Sequence, residues 1–331
     1  TQILTVESLR VGNNLHPVQQ AMVKANATQC GFCTPGFVMS LYAFYQHHDT
    51  AKRQDIINAL SGNLCRCTGY QTIINAGLDV SNNKPQQSSN CDEQALIIDR
   101  LKGLIEPNDI SSENMLLPRS REELAKFISL YPEAYLVAGT TDLALLHTQQ
   151  LESLGTTISV SYVSELSQIR VKDKILEIGA ACTLSEIQDL FIKYFPAAHE
   201  LFERFASLPI RNQATLGGNI ANASPIGDMA PLLLALNAVV VLDNGEEIRN
   251  VALKEFYVGY KKTVMRSNEW LKAIHVPLPL ANQILVAYKV SKRMEDDISA
   301  VCMAVNLSLE DGKVVAMSTG FGGVASTPAT S

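Results

Sequence analysis

Apolar residues recur at helical spacing through the first eighty positions. Val18, Met22 and Val23 mark a helix within residues 16–26. Thr34-Pro35 reads as a helix start, with threonine as N-cap and proline at N1, and an apolar stretch follows at 37–45. Residues 55–60 fit a short helix. Thr68-Gly69-Tyr70-Gln71 has capping-box spacing ahead of a helix reaching about Val80. The apolar anchors then thin out. SNNKPQQSSNCD, residues 81–92, reads as a linker, continued as partly ordered chain to 112.

From about residue 113 helices and strands alternate: a helix at 121–130, a strand at 134–138, a strand at 175–180 and a helix at 184–194. Residues 238–242, Asn244-Gly245 and 247–250 read as a β-hairpin with a tight turn. Beyond Pro277-Leu278-Pro279, stretches at 285–290, 300–309 and 314–320 suit an antiparallel sheet. The expected organisation is multi-domain, α then α+β. A helical domain spans 1–80 and a linker 81–112. A two-lobed α+β domain spans 113–280, and the start of a further α+β domain spans 281–331.

Composition adds exclusions. A formal net charge of −6 argues against a broad nucleic-acid surface. The longest apolar run, 232–242, is interrupted by Asn237 and is too short for a bilayer, and no signal peptide is seen. Seven cysteines in 331 residues are too sparse and too uneven for a secreted disulfide scaffold, so a reducing cytoplasm is expected.

Four of those cysteines form a quartet: Cys30-Gly31-Phe32-Cys33, then 31 residues (34–64), then Cys65-Arg66-Cys67. Four thiolates close a tetrahedral-sulfur site. Spacing alone suits a structural zinc as well as an iron–sulfur cluster. Two helix starts directly after Cys33 and Cys67 would turn free N–H groups toward an anionic cluster, and Arg66 adds positive charge. Cys91, Cys182 and Cys302 have no spacing partners and read as idle or buried thiols.

The strings QCGFCTPGFVMS and LSGNLCRCTGYQTI are more specific. They resemble the all-helical [2Fe–2S] domain of the xanthine dehydrogenase/molybdenum hydroxylase family. The resemblance implies that Cys30, Cys33, Cys65 and Cys67 ligate a [2Fe–2S] cluster, with Gln29 close to the molybdopterin of a neighbouring domain. In that family a plant-type ferredoxin domain precedes this one. Residues 1–7 resemble its end, and the rest is expected to be missing here.

Two glycine-rich segments can present consecutive N–H groups to a diphosphate: Leu136-Val137-Ala138-Gly139-Thr140-Thr141-Asp142-Leu143, and 215–228, TLGGNIANASPIGD. On spacing alone they also read as ordinary turns, and no G-x-G-x-x-G follows a strand. They resemble the FAD domain of the same family. The resemblance carries flavin contacts to Leu136 through Leu143, Phe205, Thr215, Leu216, Gly217, Gly218, Asn219, Asn222, Asp228, Leu271 and Lys289. Asn222 stands where some members have threonine, and Gly139-Thr140 departs from Gly-Gly-Thr. The charged run 291–298 reads as a solvated loop. In the family the equivalent loop lies near the flavin and influences whether NAD or oxygen reaches it, which makes Arg293 and Asp296 candidates for acceptor control.

The order of domains resembles the small subunit of split members of the family. That implies electron flow from a molybdenum cofactor on a large partner subunit, through [2Fe–2S] and FAD, to NAD⁺ during oxidation of hypoxanthine and xanthine to urate. A dimer of heterodimers would be the assembly. Relatives oxidising aldehydes, nicotinate or CO share the module. A zinc-stapled, non-catalytic binding protein is the reading from a different class. No general acid or base is required of these side chains, because the cofactors carry the chemistry.

Overall fold

The computed structural model describes the chain except residues 1, 85–90, 104–113 and 295, and the side chains of 91–94. It falls into two compact units, Thr1–Asp109 and Ile110–Ser331.

The first unit is helical: α1 Pro17–Lys24, α2 Thr34–His47, α3 Arg53–Leu60, α4 Gln71–Asn82 and α5 Cys91–Gly103. His16 caps α1 in a reciprocal box with Gln19. Val18, Ala21 and Met22 turn inward, whereas Val23, expected on the same apolar face, is exposed. The core joins them to Phe37, Leu41, Ile56 and Ile73. Gly77 on α4 lets these helices close, since a β-carbon there would lie 2.7 Å from Leu41 and 2.8 Å from Ile56. Two sequence expectations shift. Thr34 is the first helical residue behind an N-cap at Cys33, and α4 starts after Tyr70, a left-handed residue, rather than at a Thr68 cap. The expected linker contains α5, and α4 runs two residues into it. Of the rest, 85–90 and 104–112 lie outside the described residues.

Among its described residues the second unit holds four sheets. Strands β1 Met115–Leu116, β2 Tyr135–Val137 and β3 Thr157–Ser159 pair in parallel in the order β1-β3-β2. Strands β4 Ile169–Lys172, β5 Ile175–Gly179, β6 Val239–Asp243 and β7 Ile248–Ala252 join an antiparallel sheet. After a small ribbon of β8 Tyr257–Gly259 and β9 Lys262–Thr263 comes β10 Trp270–Pro277, at its centre, in the order β4-β5-β10-β6-β7. Strands β11 Gln283–Val290, β12 Val301–Glu310 and β13 Lys313–Gly322 make the expected antiparallel sheet near the C-terminal end. Helices α6 Arg121–Leu130, α7 Ala144–Thr148, α8 Leu184–Tyr194, α9 His199–Glu203, α10 Leu208–Arg211, α11 Leu216–Ala221, α12 Met229–Ala235 and α13 Leu253–Phe256 cover them. The hairpin β6–β7 turns through four residues rather than two. Asn244 Oδ1 accepts from the N–H groups of Glu246 and Glu247, and Gly245 is left-handed.

Every residue of α12 is buried. It packs against β12 and β13, and its core continues to Val240 and Ile274 of the five-stranded sheet. One hydrophobic core therefore spans the boundary expected at 280, and 110–331 form one compact unit.

Asp243, fully buried at the end of β6, receives Arg121 Nε and Nη2 at 2.8 and 2.9 Å and the Gly245 N–H at 2.9 Å. Burial alone would raise its pKa. The Arg121 guanidinium and the Gly245 N–H outweigh burial and hold it below the ordinary value. This stabilisation is present above the unfolded pKa of about 4 and is lost as pH falls through the lower folded value. Arg121→Met leaves the charge buried without its main partner. Its expected effect is a loss of about 3–5 kcal/mol in urea unfolding at neutral pH, shrinking toward pH 3. A flat pH dependence of that difference would refute the assignment.

Candidate functional site

Two sites emerge, one in each unit. In the first, the turn ahead of α2 and the loop ahead of α4 bring the four cysteines together. Gly31 and Gly69, both left-handed, make the two turns. The thiols pair across the motifs: Cys30 Sγ lies 3.6 Å from Cys67 Sγ, and Cys33 interacts with Cys65. Two sulfurs on one tetrahedral metal, each at 2.3 Å, lie about 3.8 Å apart, so the 3.6 Å pair matches a shared metal atom. Among the described residues no three His, Cys, Asp or Glu side chains are gathered around a single ion. Cys30 and Cys67 are exposed, Cys65 is buried and Cys33 is intermediate, so one pair faces solvent and the other the core. Gln29 and Arg66 are exposed, and Phe32 is 95% exposed between the first two cysteines.

The hydroxyl of Thr68, 3.1 Å from Cys65 Sγ, is the largest influence on that thiol. With the N–H groups of Thr68 and Cys67, both at 3.4 Å, it lowers the Cys65 pKa to about 7. Such donors favour the thiolate that a metal requires.

The second site is a cavity of about 750 Å³ in the second unit, within the range of small-molecule and cofactor pockets. Both glycine-rich segments wall it: Leu136 through Leu143 from the first, and Thr215, Gly218, Asn219, Asn222 and Asp228 from the second. Phe205 and Lys289 line it as well. Leu216, Gly217 and Leu271 do not reach it. Leu216 and Leu271 belong to the core, and Gly217 packs on Ala180, where a β-carbon would lie 2.5 Å away. Of the two acceptor-control candidates, Asp296 is on the wall and Arg293 is not. Arg293 instead pairs with Asp297.

Several features fit a polar, dinucleotide-sized occupant. Asn219 Oδ1 is buried on this wall without a hydrogen-bond partner among the described residues, an acceptor awaiting a donor. Thr215 caps α11 by accepting from the Gly218 N–H at 3.0 Å. Thr140, Ala206 and Asp296 adopt left-handed backbone although none is glycine, a strain that concentrates at functional sites. On the floor, Lys289 Nζ donates to Asp228 Oδ2 at 2.6 Å and Ser299 Oγ donates to Asp228 Oδ1. Sequence reasoning missed Ser299, since nothing in its neighbourhood marks it. It also missed Arg204, which donates to the Lys289 and Met294 carbonyls and to Ser291 Oγ and so fastens the 291–298 loop.

A helical thiol site followed by a dinucleotide cavity defines a class: a redox protein carrying an iron–sulfur group and a flavin. Comparison with known proteins gives the family. Residues 110–279 match the model of the FAD binding domain in molybdopterin dehydrogenase, 5–78 the [2Fe-2S] binding domain, and 286–331 the CO dehydrogenase flavoprotein C-terminal domain. The chain belongs to the molybdenum hydroxylase family and carries its iron–sulfur and FAD-binding electron-transfer module. Xanthine dehydrogenase of Drosophila pseudoobscura pseudoobscura is 32% identical over 98% of this chain and 29% of its own length. Xanthine dehydrogenase/oxidase of Gallus gallus is 28% identical over 98% of this chain and 30% of its own. The chain thus spans less than a third of these relatives. The reconstituted CO dehydrogenase from Oligotropha carboxidovorans matches with a TM-score of 0.62 at 27% identity, covering 67% of this chain and 79% of that one. Among the described residues no helix is long and apolar enough to cross a membrane.

Proposed function

We propose that this chain is the iron–sulfur/FAD part of a xanthine dehydrogenase, passing electrons from a molybdenum-bearing partner subunit to NAD⁺ in the cytoplasm. The convergence of four thiols in two pairs carries the reading, together with the xanthine dehydrogenases among its relatives. When bound, the [2Fe–2S] cluster supplies one-electron transfer and FAD two-electron hydride chemistry. Cys30, Cys33, Cys65 and Cys67 hold the former. The second unit's part is to bind, orient and shield the latter. The Asp228–Lys289–Ser299 network fixes a charged floor, Asn219 offers an acceptor, and Thr140 through Asp142 and Gly218 present backbone to the diphosphate. Asp296 on the wall is placed to affect which acceptor reaches the flavin. Assembly with the partner as a dimer of heterodimers belongs to the same proposal. So does substrate choice, with xanthine ahead of the CO, aldehyde or nicotinate alternatives.

The test is the chromophore content of the purified chain. Two iron atoms and one flavin per chain are expected, in a brown protein. Cys65→Ser should lose the iron–sulfur absorption while keeping flavin, because the two sites lie in different compact units. A colourless protein containing zinc would end the proposal.

A further inference from the structure

We infer that Thr68 sets the reduction potential of the cluster by donating its hydroxyl proton to Cys65 Sγ; this rests on the reading of the quartet as a [2Fe–2S] site. The direction of the hydrogen bond follows from its neighbours. Tyr70 N–H donates to Thr68 Oγ1 at 3.2 Å, occupying a lone pair and leaving the hydroxyl proton free to turn outward. Cys65 Sγ lies 3.1 Å from that oxygen. A metal-bound thiolate carries no proton and can only accept.

The sulfur also receives the N–H groups of Cys67 and Thr68, both at 3.4 Å, so three donors converge on one of the four ligands. The Cys65 N–H itself donates to Tyr70 Oη at 3.0 Å, which pins the loop in register. Tyr70 holds a left-handed conformation (φ 68°) that a non-glycine residue rarely adopts. That conformation points its N–H back at Thr68, and helix α4 begins only afterwards. The capping-type threonine thus serves the sulfur instead of the helix.

A reduced cluster carries one more negative charge than an oxidised one, and part of it resides on the thiolates. Donors to sulfur therefore stabilise the reduced form more, and raise the potential. Uptake of one electron involves no proton transfer here, because Thr68 keeps its proton throughout. Thr68 is a positioning residue acting through Cys65.

The experiment is an EPR-monitored dithionite titration of the purified, cluster-loaded chain with Thr68→Ser and Thr68→Val. Poised at the wild-type midpoint, Thr68→Val should show a reduced-to-oxidised ratio about tenfold lower, equivalent to about 59 mV for one electron. Thr68→Ser should stay near wild type, because it keeps the hydroxyl. Equal midpoints for all three proteins would overturn the inference, as would equal shifts in both variants. Should Thr68→Val fail to hold its cluster, the reduced wild-type protein decides the matter. After brief transfer to D2O its pulsed EPR spectrum should show a rapidly exchanged, strongly coupled deuteron that Thr68→Ser retains; its absence would overturn the inference. A wild-type protein with no cluster signal would refute the parent proposal instead.

Discussion

Asp228→Ala will purify without flavin and with a destabilised second unit. Lys289 and Asp228 are both almost wholly buried and lie 2.6 Å apart, so deleting the carboxylate strands an ammonium group in the protein interior. Stranding one partner of such a pair costs about 3–5 kcal/mol, which in a unit of this size lowers Tm by roughly 10 °C. Ser299 loses its acceptor at the same time. The decisive comparison is Asp228→Leu with Lys289→Met. Replacing both charges should restore much of the stability, because a matched apolar pair removes the desolvation penalty. It should not restore FAD, because the charged floor is gone. Calorimetry and flavin absorbance per chain separate the two effects. A double variant that binds FAD stoichiometrically would show that the pair serves folding alone.

Gly139→Ala is expected to damage the same pocket from the opposite wall. A β-carbon there would lie 1.8 Å from the Gln213 carbonyl oxygen and 3.0 Å from Ala214 Cα. These are backbone atoms that no side-chain rotation can move aside. The first glycine-rich segment therefore meets, backbone to backbone, the residues that lead directly into the second. Forcing them apart should cost about 1–3 kcal/mol or more as overpacking, and should weaken FAD at least tenfold, about 1.4 kcal/mol. Fluorescence titration of the flavin-stripped variant measures the second figure. An unchanged Kd would show that the segments can separate without disturbing the pocket.

Much of both sites was legible because ligand chemistry is local. Four cysteines at short spacing constrain their own loops. Glycines beside strands announce close approach, as at Gly139. Where the structure departs from the sequence reading, tertiary packing decided what local spacing left open. Thr68 has the spacing of a helix cap, yet its hydroxyl goes to Cys65, and Tyr70 takes the cap position. Gly217 sits in the flavin-like string, yet it faces Ala180. Leu216 follows the cavity residue Thr215 in sequence, but the helix period turns it inward, and Leu271 on β10 lies in the core. Ser299 could not be found because its importance comes wholly from Asp228, far away in the chain. The linker hid α5 because a polar stretch ahead of it carried the compositional signal.

Lys289 lies on β11, inside the segment that begins at 286, while its counter-ion Asp228 stands just before α12, inside the segment that ends at 279. The border between the two matched segments is therefore not a place where the polypeptide can be cut. A fragment ending near 280 would keep a buried acid without its base and would bare the wall of α12 now covered by β12 and β13. Gene rearrangements that trade flavin-binding parts between such enzymes should carry both segments as one inheritance, and a chimera joined at that border should be recovered only as an aggregate.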